Sequence, residues 1–474
     1  MKNIFMLRQV FFTFFCVLFI STVHGQNIHE KIQDAYYKFA NHASLQNGQA
    51  AFTVIDNKTK EVIFESNGQK GMPTASTLKV ITSITALDIL GPDFTFSTSL
   101  YYSGDIDDQG VLHGNIIIKG GGDPTLASER YAEDESTLLQ HWEQAIRQAG
   151  IKEIEGTIIG DDRLYNGYHA PGGYNWSDLG NYYGAGISSL NWRENKIGIN
   201  FTPQKIKEEA RLIPPAKQFN YLTFINEVTT GSLGSGDNVY GFSAPYSSII
   251  FLRGSYGSDL KKTIELSSPN PAQDAAYALY TKLNNVHISV SEKPHSLNPL
   301  VEAPTLDQDK KLLHKHTSPP LHEIIYWFNK KSINLYGEAL LIAIGKQQAG
   351  ATNIQKSSQI VQNYWHQKLS IPKEEIKTYD GSGLSQQNRV TTNAMTQIMH
   401  YAKSQKWFPV FAKSLPNINK MKMKSGTIGG TLGYTGYQTS TQNKEVTFSL
   451  LINNYHGNSQ AMRQRMFHLL NVLK

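Results

Sequence analysis

Apolar residues at the two ends of the chain recur at spacings typical of one α/β domain. Residues 27–42 carry them at helical spacing, which predicts an amphipathic helix. Residues 50–55 and 61–65 alternate as two strands of a hairpin that turns at Asn57-Lys58. Near the other end the pattern predicts three strands and a final helix, at 420–424, 434–439, 446–453 and 459–473. We therefore expect both ends to form one sheet with helices packed on it.

The middle of the chain has a different pattern. From about residue 92 to residue 304, short β-like runs such as 111–119 and 247–253 alternate with Gly, Pro, Asn and Asp. This predicts one or two small β-rich domains inserted into the first. We assign residues 26–92 plus 305–474 to the α/β domain and residues 93–304 to the insertion.

The first 25 residues are typical of a secretory signal peptide. Lys2 and Arg8 precede an apolar run over residues 10–20, and small residues follow near Gly25. A retained membrane anchor is the alternative, but the uncharged stretch is shorter than the roughly 20 residues that span a bilayer. We therefore predict that residues 1–25 are removed on export, with a periplasmic location.

Composition narrows the chemistry. The 474 residues allow two or three domains, and 40% hydrophobic with 18% charged residues is ordinary for a globular protein. The one cysteine, Cys16, lies in the leader, which excludes thiol catalysis and disulfides from the mature chain. Losing two basic residues with the leader lowers the formal charge from +6 to +4. So small a positive charge fits ordinary solubility as well as peripheral association with a membrane or the cell wall. No nucleic-acid partner is expected.

Three Ser-x-x-Lys sequences could place a nucleophile beside a base, beginning at Ser76, Ser258 and Ser370. The first has the context of a buried helix: Pro73 and Thr74 mark a start, and Gly91 marks the stop. Ser76 would lie in the first turn with Lys79 on the same face. Capping is the commoner role for such a serine. A lysine on an otherwise apolar helix, however, must be solvated, paired or functional.

Two further short sequences complete an ordered set. Ser332-Ile333-Asn334 precedes a helical run, and Lys424-Ser425-Gly426-Thr427 ends the strand predicted at 420–424. The glycine would let a substrate backbone lie against the strand, and the lysine would attract a carboxylate. A metal site is not expected, because His322-Glu323 has no second histidine at helical spacing. No cofactor is expected either.

This ordered set resembles the signature of penicillin-binding proteins and serine β-lactamases. Within that superfamily the chain is most similar to the class C, type 4 penicillin-binding proteins, the D-Ala-D-Ala carboxypeptidase/endopeptidases of peptidase family S13. The likeness covers almost the whole mature chain. It includes the long separation of Ser76 from Ser332 and four longer strings, at 120–126, 160–162, 176–184 and 380–385. Many relatives carry aspartate where this chain has Ile333 and threonine where it has Ser425.

The resemblance implies an α/β (α+β) transpeptidase-like domain with a central antiparallel sheet, flanking helices and a β-rich insertion. It implies that Ser76 is acylated with Lys79 as base and that Ser332 relays a proton to the leaving amine. Asn334 would hold the substrate amide. The remaining implied roles are carboxylate binding by Lys424, Ser425 and Thr427, close approach at Gly426, and an oxyanion hole made by the backbone N–H groups of Ser76 and Thr427.

The resemblance also implies peptidoglycan stem peptides as substrates and β-lactams as acylating ligands. Asp178 would recognise an amino group on the third residue of the stem peptide. Strings 120–126 and 380–385 are interpreted as loop-shaping turns. Two alternatives remain: a β-lactamase, and a non-catalytic sensor that keeps the fold as a receptor. The oligomeric state is not predicted.

Overall fold

The structure, a computed structural model, describes residues 28–167, 169–213, 219–299 and 309–474. The predicted signal peptide lies outside the described residues. Among the described residues the strands are, in chain order, β1 (Gln49–Asp56), β2 (Val62–Ser66), β3 (Ser97–Ile106), β4 (Val111–Lys119), β5 (Glu153–Glu155), β6 (Ile158–Asp161), β7 (Lys196–Thr202), β8 (Arg211–Ile213), β9 (Thr223–Gly231), β10 (Asp237–Phe242), β11 (Ile249–Gly257), β12 (Ile264–Ser267), β13 (Ser289–Val290), β14 (His295–Leu297), β15 (Lys311–Thr317), β16 (Ile376–Lys377), β17 (Arg389–Val390), β18 (Asn417–Ile418), β19 (Met421–Ile428), β20 (Thr431–Thr439) and β21 (Glu445–Asn453).

The α-helices of the same described ranges are α1 (Ile28–Ala40), α2 (Lys79–Leu90), α3 (Glu135–Gln148), α4 (Trp176–Leu179), α5 (Pro271–Asn285), α6 (Leu321–Lys331), α7 (Asn334–Ala349), α8 (Ile354–Leu369), α9 (Thr392–Lys403), α10 (Phe408–Ser414) and α11 (Ser459–Leu470). Short 3-10 turns include Ala75–Leu78, Tyr182–Gly184 and Arg193–Asn195. None of the helices in these ranges is long and apolar enough to cross a membrane.

The central sheet joins the two ends of the chain, as the sequence predicts. Its order is β18-β19-β20-β21-β1-β2, and every neighbouring pair is antiparallel. One face packs on α1 and α11 through a cluster that includes Ile32, Phe52 and Met466. On the opposite face Thr53 contacts Thr392 of α9. The alternation of strand residues between two covered faces confirms the central antiparallel sheet with flanking helices.

The helical side of this domain has its own core, in which α2 and α7 are the innermost helices. Residues 79–87 of α2 and 335–345 of α7 are buried without interruption. Helices α6, α8, α9 and α10 pack around them in the same hydrophobic cluster. Because these stretches of α2 and α7 are buried on all sides, the two charged side chains that they carry, Lys79 and Glu338, are held inside the protein.

The segment between these parts contains helices as well as strands. A seven-stranded sheet of β3–β6 and β13–β15 packs on α3 and α5, and two three-stranded sheets lie beyond it. The prediction of a β-rich insertion named no helices, and the structure adds α3 and α5 to its strands. Strand β15 pairs with β3, so this sheet also uses residues past position 304. The division of the chain at residues 92 and 305 stays a prediction.

Candidate active site

Ser76 lies in the 3-10 turn Ala75–Leu78, immediately before α2. The preceding Ala75 has a φ of 44°, a left-handed conformation that costs an L-residue about 1–3 kcal/mol. The turn brings the Oγ of Ser76 within 3.0 Å of the Nζ of Lys79. The two other Ser-x-x-Lys sequences lack this arrangement, because Ser258 follows the end of β11 and Ser370 follows the end of α8.

Lys79 is completely buried, and its amine has three polar neighbours. Besides Ser76, these are the Oδ1 of Asn334 at 2.7 Å and the carbonyl oxygen of Ser382 at 2.6 Å. Burial, helped by the charge of Lys424, holds the pKa of Lys79 well below its usual range, although Asp380 and Glu338 oppose this shift. A neutral amine donates two hydrogens and accepts one, so it can bond both oxygens and still accept the proton of Ser76.

Ser332 and Lys424 contact each other close to Lys79. Ser332 ends α6 in a left-handed conformation, with φ 58° and ψ 39°. Lys424 donates to the Oγ of Ser332 at 3.0 Å and to the carbonyl oxygen of Ser425 at 2.9 Å. Burial lowers the pKa of Lys424 to about 7. The hydroxyl of Ser332 is therefore coupled to an amine that exchanges its proton near neutral pH.

Strand β19 carries Lys424, Ser425, Gly426 and Thr427 through its middle. The prediction that a strand ends at Lys424 is wrong, because the pairing with β20 continues to Ile428. A Cβ on Gly426 would lie 2.8 Å from the carbonyl oxygen of Thr74 and 3.0 Å from the backbone nitrogen of Ser76. Glycine is required there because the strand touches the turn that carries Ser76.

Asn334 links the pocket to the inserted segment. Its side-chain amide donates to the carbonyl oxygen of Tyr183 at 2.7 Å, and the Tyr183 hydroxyl bonds to Asp178. Asp178, on α4, is about half-buried, and burial raises the pKa of its carboxyl. Asp178 is therefore joined to Lys79 by three successive contacts, through Tyr183 and Asn334.

Ile333, between the two polar residues, packs against the helical core cluster. Its side chain is partly buried against this cluster. Isoleucine therefore replaces the aspartate of many relatives here without changing the contacts of Lys79 with Ser76 and Asn334.

Two buried carboxyl groups beneath Lys79 were not anticipated as part of the site. Asp380 accepts from the backbone N–H groups of Gly383 (2.9 Å) and Ser385 (2.6 Å), which shapes the loop that offers the Ser382 carbonyl to Lys79. Glu338 of α7 accepts from the Gly381 N–H at 2.8 Å. Burial, together with the charge of Asp380, raises the pKa of Glu338 to about 8.

A sequence signal for Glu338 did exist: it follows Asn334 by four residues and so shares its helix face. Arg463 of α11 was also missed. Its guanidinium donates to the Oγ1 of Thr427 at 2.9 Å, and only the sheet topology brings it there.

The fold and these contacts define the class of the protein: a serine acyl-enzyme of the penicillin-recognising superfamily. The chain belongs to the D-Ala-D-Ala carboxypeptidase 3 (S13) family, whose model matches residues 33–471. It is 25% identical over 442 residues to a D-alanyl-D-alanine carboxypeptidase of Actinomadura sp. strain R39, covering 87% of this chain and 79% of the relative.

Solved structures share the fold. The crystal structure of penicillin binding protein 4 from Haemophilus influenzae matches with a TM-score of 0.77 and 22% identity, over 92% of this chain and 97% of that one. A second structure of the Haemophilus protein, complexed with a novel β-lactam, matches with a TM-score of 0.72 and 21% identity over the same shares.

Proposed function

We propose that this protein is a serine-type D-Ala-D-Ala carboxypeptidase and DD-endopeptidase that cleaves peptidoglycan stem peptides and cross-links through an acyl-enzyme on Ser76. The observation that carries the proposal is the fully buried amine of Lys79, 3.0 Å from the Oγ of Ser76. Family membership supports the D-alanyl-D-alanine specificity.

In the first step Ser76 attacks the carbonyl carbon of the penultimate D-alanine. The Oγ proton passes to the neutral amine of Lys79 as the new O–C bond forms. The C–N bond to the leaving residue then breaks, and the leaving amine takes a proton through Ser332, whose hydroxyl is 3.0 Å from Lys424. The leaving group is free D-alanine in the carboxypeptidase reaction and the amine of a neighbouring stem peptide in the endopeptidase reaction.

Charge on the tetrahedral intermediate is stabilised by the backbone N–H groups of Ser76 and Thr427. The tight contact at Gly426 supports this assignment, since it holds the two backbone segments together. One such donor contributes roughly 3–4 kcal/mol in other serine enzymes. Lys424, Ser425 and Thr427 bind the terminal carboxylate, and Asn334 holds the substrate amide.

Water completes the reaction by attacking the acyl carbon, and its proton passes through Ser332 to Lys424, which had supplied the proton of the leaving amine. The bond from that carbon to Ser76 breaks, the serine recovers its proton from Lys79, and the shortened peptide leaves with a new carboxylate. β-Lactams acylate the same hydroxyl, and the β-lactam complex of the Haemophilus protein supports this extension.

Asp178 extends recognition to the third residue of the stem peptide. Its carboxyl is half-buried beside Tyr183, so an amino group on the substrate gains a charge partner close to the pocket. The export signal at residues 1–25 and the peptidoglycan substrate together favour a periplasmic location.

Labelled penicillin tests the nucleophile. The wild type is expected to gain one covalent adduct, located on Ser76 by mass spectrometry. Ser76→Ala should lose both the adduct and release of D-alanine from a pentapeptide. Ser258→Ala, in the second Ser-x-x-Lys sequence, is the matched control and should keep both.

Turnover by Ser76→Ala would refute the acyl-enzyme. Incubation with cross-linked muropeptide dimers tests the endopeptidase reaction, for which conversion of dimers to monomers is expected. A wild-type protein that binds penicillin but hydrolyses neither pentapeptide nor dimer would instead be a sensor.

A further inference from the structure

Outside the active site, three metal-ligating side chains converge on the inserted sheet. Glu133 precedes α3, His141 lies in the middle of α3, and His314 lies on β15. One potential ligand atom from each lies within 4.8 Å of the others. The two histidines are far apart in sequence, so spacing along the chain could not reveal this group.

The group contains an unsatisfied ligand atom. The Nε2 of His314 is buried and makes no hydrogen bond, although a buried polar atom without a partner costs about 1–3 kcal/mol. The ring of His141 lies near that of His314, tilted against it with centroids 6.0 Å apart, and its Nδ1 is 2.7 Å from the Oε1 of Glu133. The side chains of His141 and Glu133 remain 44% and 31% exposed, so an ion can enter from solvent.

A second layer of charged groups orients Glu133. The Nδ1 of His316 is 3.0 Å from the other oxygen of Glu133, and its Nε2 is 3.3 Å from Asp123. His316 is only 4% exposed, and Asp123 is fixed by the backbone N–H and hydroxyl of Thr125. Histidine–carboxylate contacts of this kind typically hold metal ligands in place. Asp123 belongs to the string at 120–126, which was interpreted from sequence only as a turn.

We propose that Glu133, His141 and His314 bind a divalent transition-metal ion of the zinc type. Two imidazole nitrogens and one carboxylate oxygen are a typical zinc donor set, and water fills the fourth position. Small side-chain rotations bring the ligand atoms to the ~3.3 Å separations that bonds of about 2.0 Å require in a tetrahedral site. The ion adds a second link between the start of α3 and β15, beside the contact of Glu133 with His316.

Zinc titration of the chelator-treated full-length protein tests the site. Elemental analysis should find one ion per chain, calorimetry should give submicromolar affinity, and zinc should raise the melting temperature by several degrees through its preference for the folded state. Cobalt(II) in place of zinc should give the visible absorption of a tetrahedral site.

His141→Gln and Glu133→Gln should each weaken zinc binding at least about 100-fold, and His316→Gln about 10- to 100-fold. The matched control is His113→Gln, because His113 also contacts two carboxylates but stands alone and exposed. It should bind zinc as the wild type does. Absence of a zinc-dependent melting shift, or equal binding by the wild type and His141→Gln, would overturn the site without touching the assignment of Ser76.

Discussion

Lys79 and Lys424 are both buried in the site, and burial lowers the pKa of each amine, although the proposed mechanism gives them different tasks. In the proposed mechanism Lys79 uses its lone pair to accept the proton of Ser76, whereas Lys424 uses its charge to attract a carboxylate. Desolvation lowers the pKa of both, and the charge of Lys424 lowers the pKa of Lys79 further. The proposed mechanism therefore requires Lys79 in its neutral form and Lys424 in its protonated form.

This requirement predicts a bell-shaped dependence of kcat/KM on pH. Activity falls at low pH because Lys79 becomes protonated, and it falls above about pH 7 because free Lys424 loses its charge. Lys424→Arg should move only the alkaline limb to higher pH, since arginine stays charged. Initial rates on a pentapeptide from pH 5 to pH 10 measure both limbs, and an unmoved alkaline limb in the variant would contradict the assignment.

At the residue scale the sequence predicted the side chains of the site but not the backbone carbonyl of Ser382, which contacts Lys79. Ser76, Lys79, Ser332, Asn334 and Lys424 carry recognisable chemistry and converge in the structure. The Ser382 carbonyl has no residue-specific signature, because every residue has one. Its importance comes from the loop geometry that Asp380 imposes, and that geometry depends on the tertiary fold.

At the scale of elements, the contact between β19 and the turn before α2 determines whether the site is assembled. The strand passes so close to Ser76 that only a hydrogen fits at Gly426. A methyl group there meets backbone atoms, which cannot rotate away as a side chain can. The strand must therefore move relative to the nucleophile.

Gly426→Ala is expected to slow acylation by penicillin about 100-fold, the typical effect of a misplacement near 1 Å. Gly429→Ala is the matched control beyond the end of the same strand, where the nearest atom to an added Cβ is 4.0 Å away. It should acylate at close to the wild-type rate. Stopped-flow measurement of adduct formation distinguishes the two, and equal rates would show that the close approach is not needed.

Helices α3 and α5 of the inserted segment were not identified from the sequence. Helix α3 has a capping Asp134 and buried residues at helical spacing, and α5 begins with Asn270 and Pro271. Both signals are present in the sequence. The many short β-like runs around them dominated the pattern, and α5, which is buried on most of its surface, has weak amphipathic contrast.

At the scale of the whole molecule, the inserted segment is joined to the catalytic helices by buried polar contacts. Glu194 is 4% exposed and accepts from Arg130 at 2.7 Å and from the hydroxyl of Tyr336, on α7, at 2.8 Å. Lys196 lies 3.2 Å from its other oxygen. Burial alone would raise the pKa of Glu194, but Lys196 and Arg130 outweigh it and lower the pKa.

Glu194→Gln is expected to lower the free energy of unfolding by about 3 kcal/mol at neutral pH, because it removes the buried carboxylate that pairs with the partly buried Arg130 and Lys196. The folded-state pKa is lowered, so this advantage of the wild type is complete above the ordinary glutamate value and is lost as the pH falls through the folded value. Thermal denaturation at pH 7 and pH 4 measures the difference.

Glu265→Gln is the matched control, since Glu265 is an exposed partner of the same Lys196 at 3.5 Å. Its loss should cost no more than about 1 kcal/mol. Comparable destabilisation by the two substitutions would show that Glu194 acts only as a surface charge.

The pairing of β1 with β21 also constrains the order in which parts of the protein fold. Ala51 faces Leu451 across this ladder, so the sheet brings together residues separated by most of the polypeptide. Contacts so distant in sequence form late and slow folding, whereas the hairpin of β3 and β4 is local and can form early. The nucleophile's scaffold thus stays incomplete until β21 has been made, which leaves the newly made chain without hydrolytic activity before that strand leaves the ribosome.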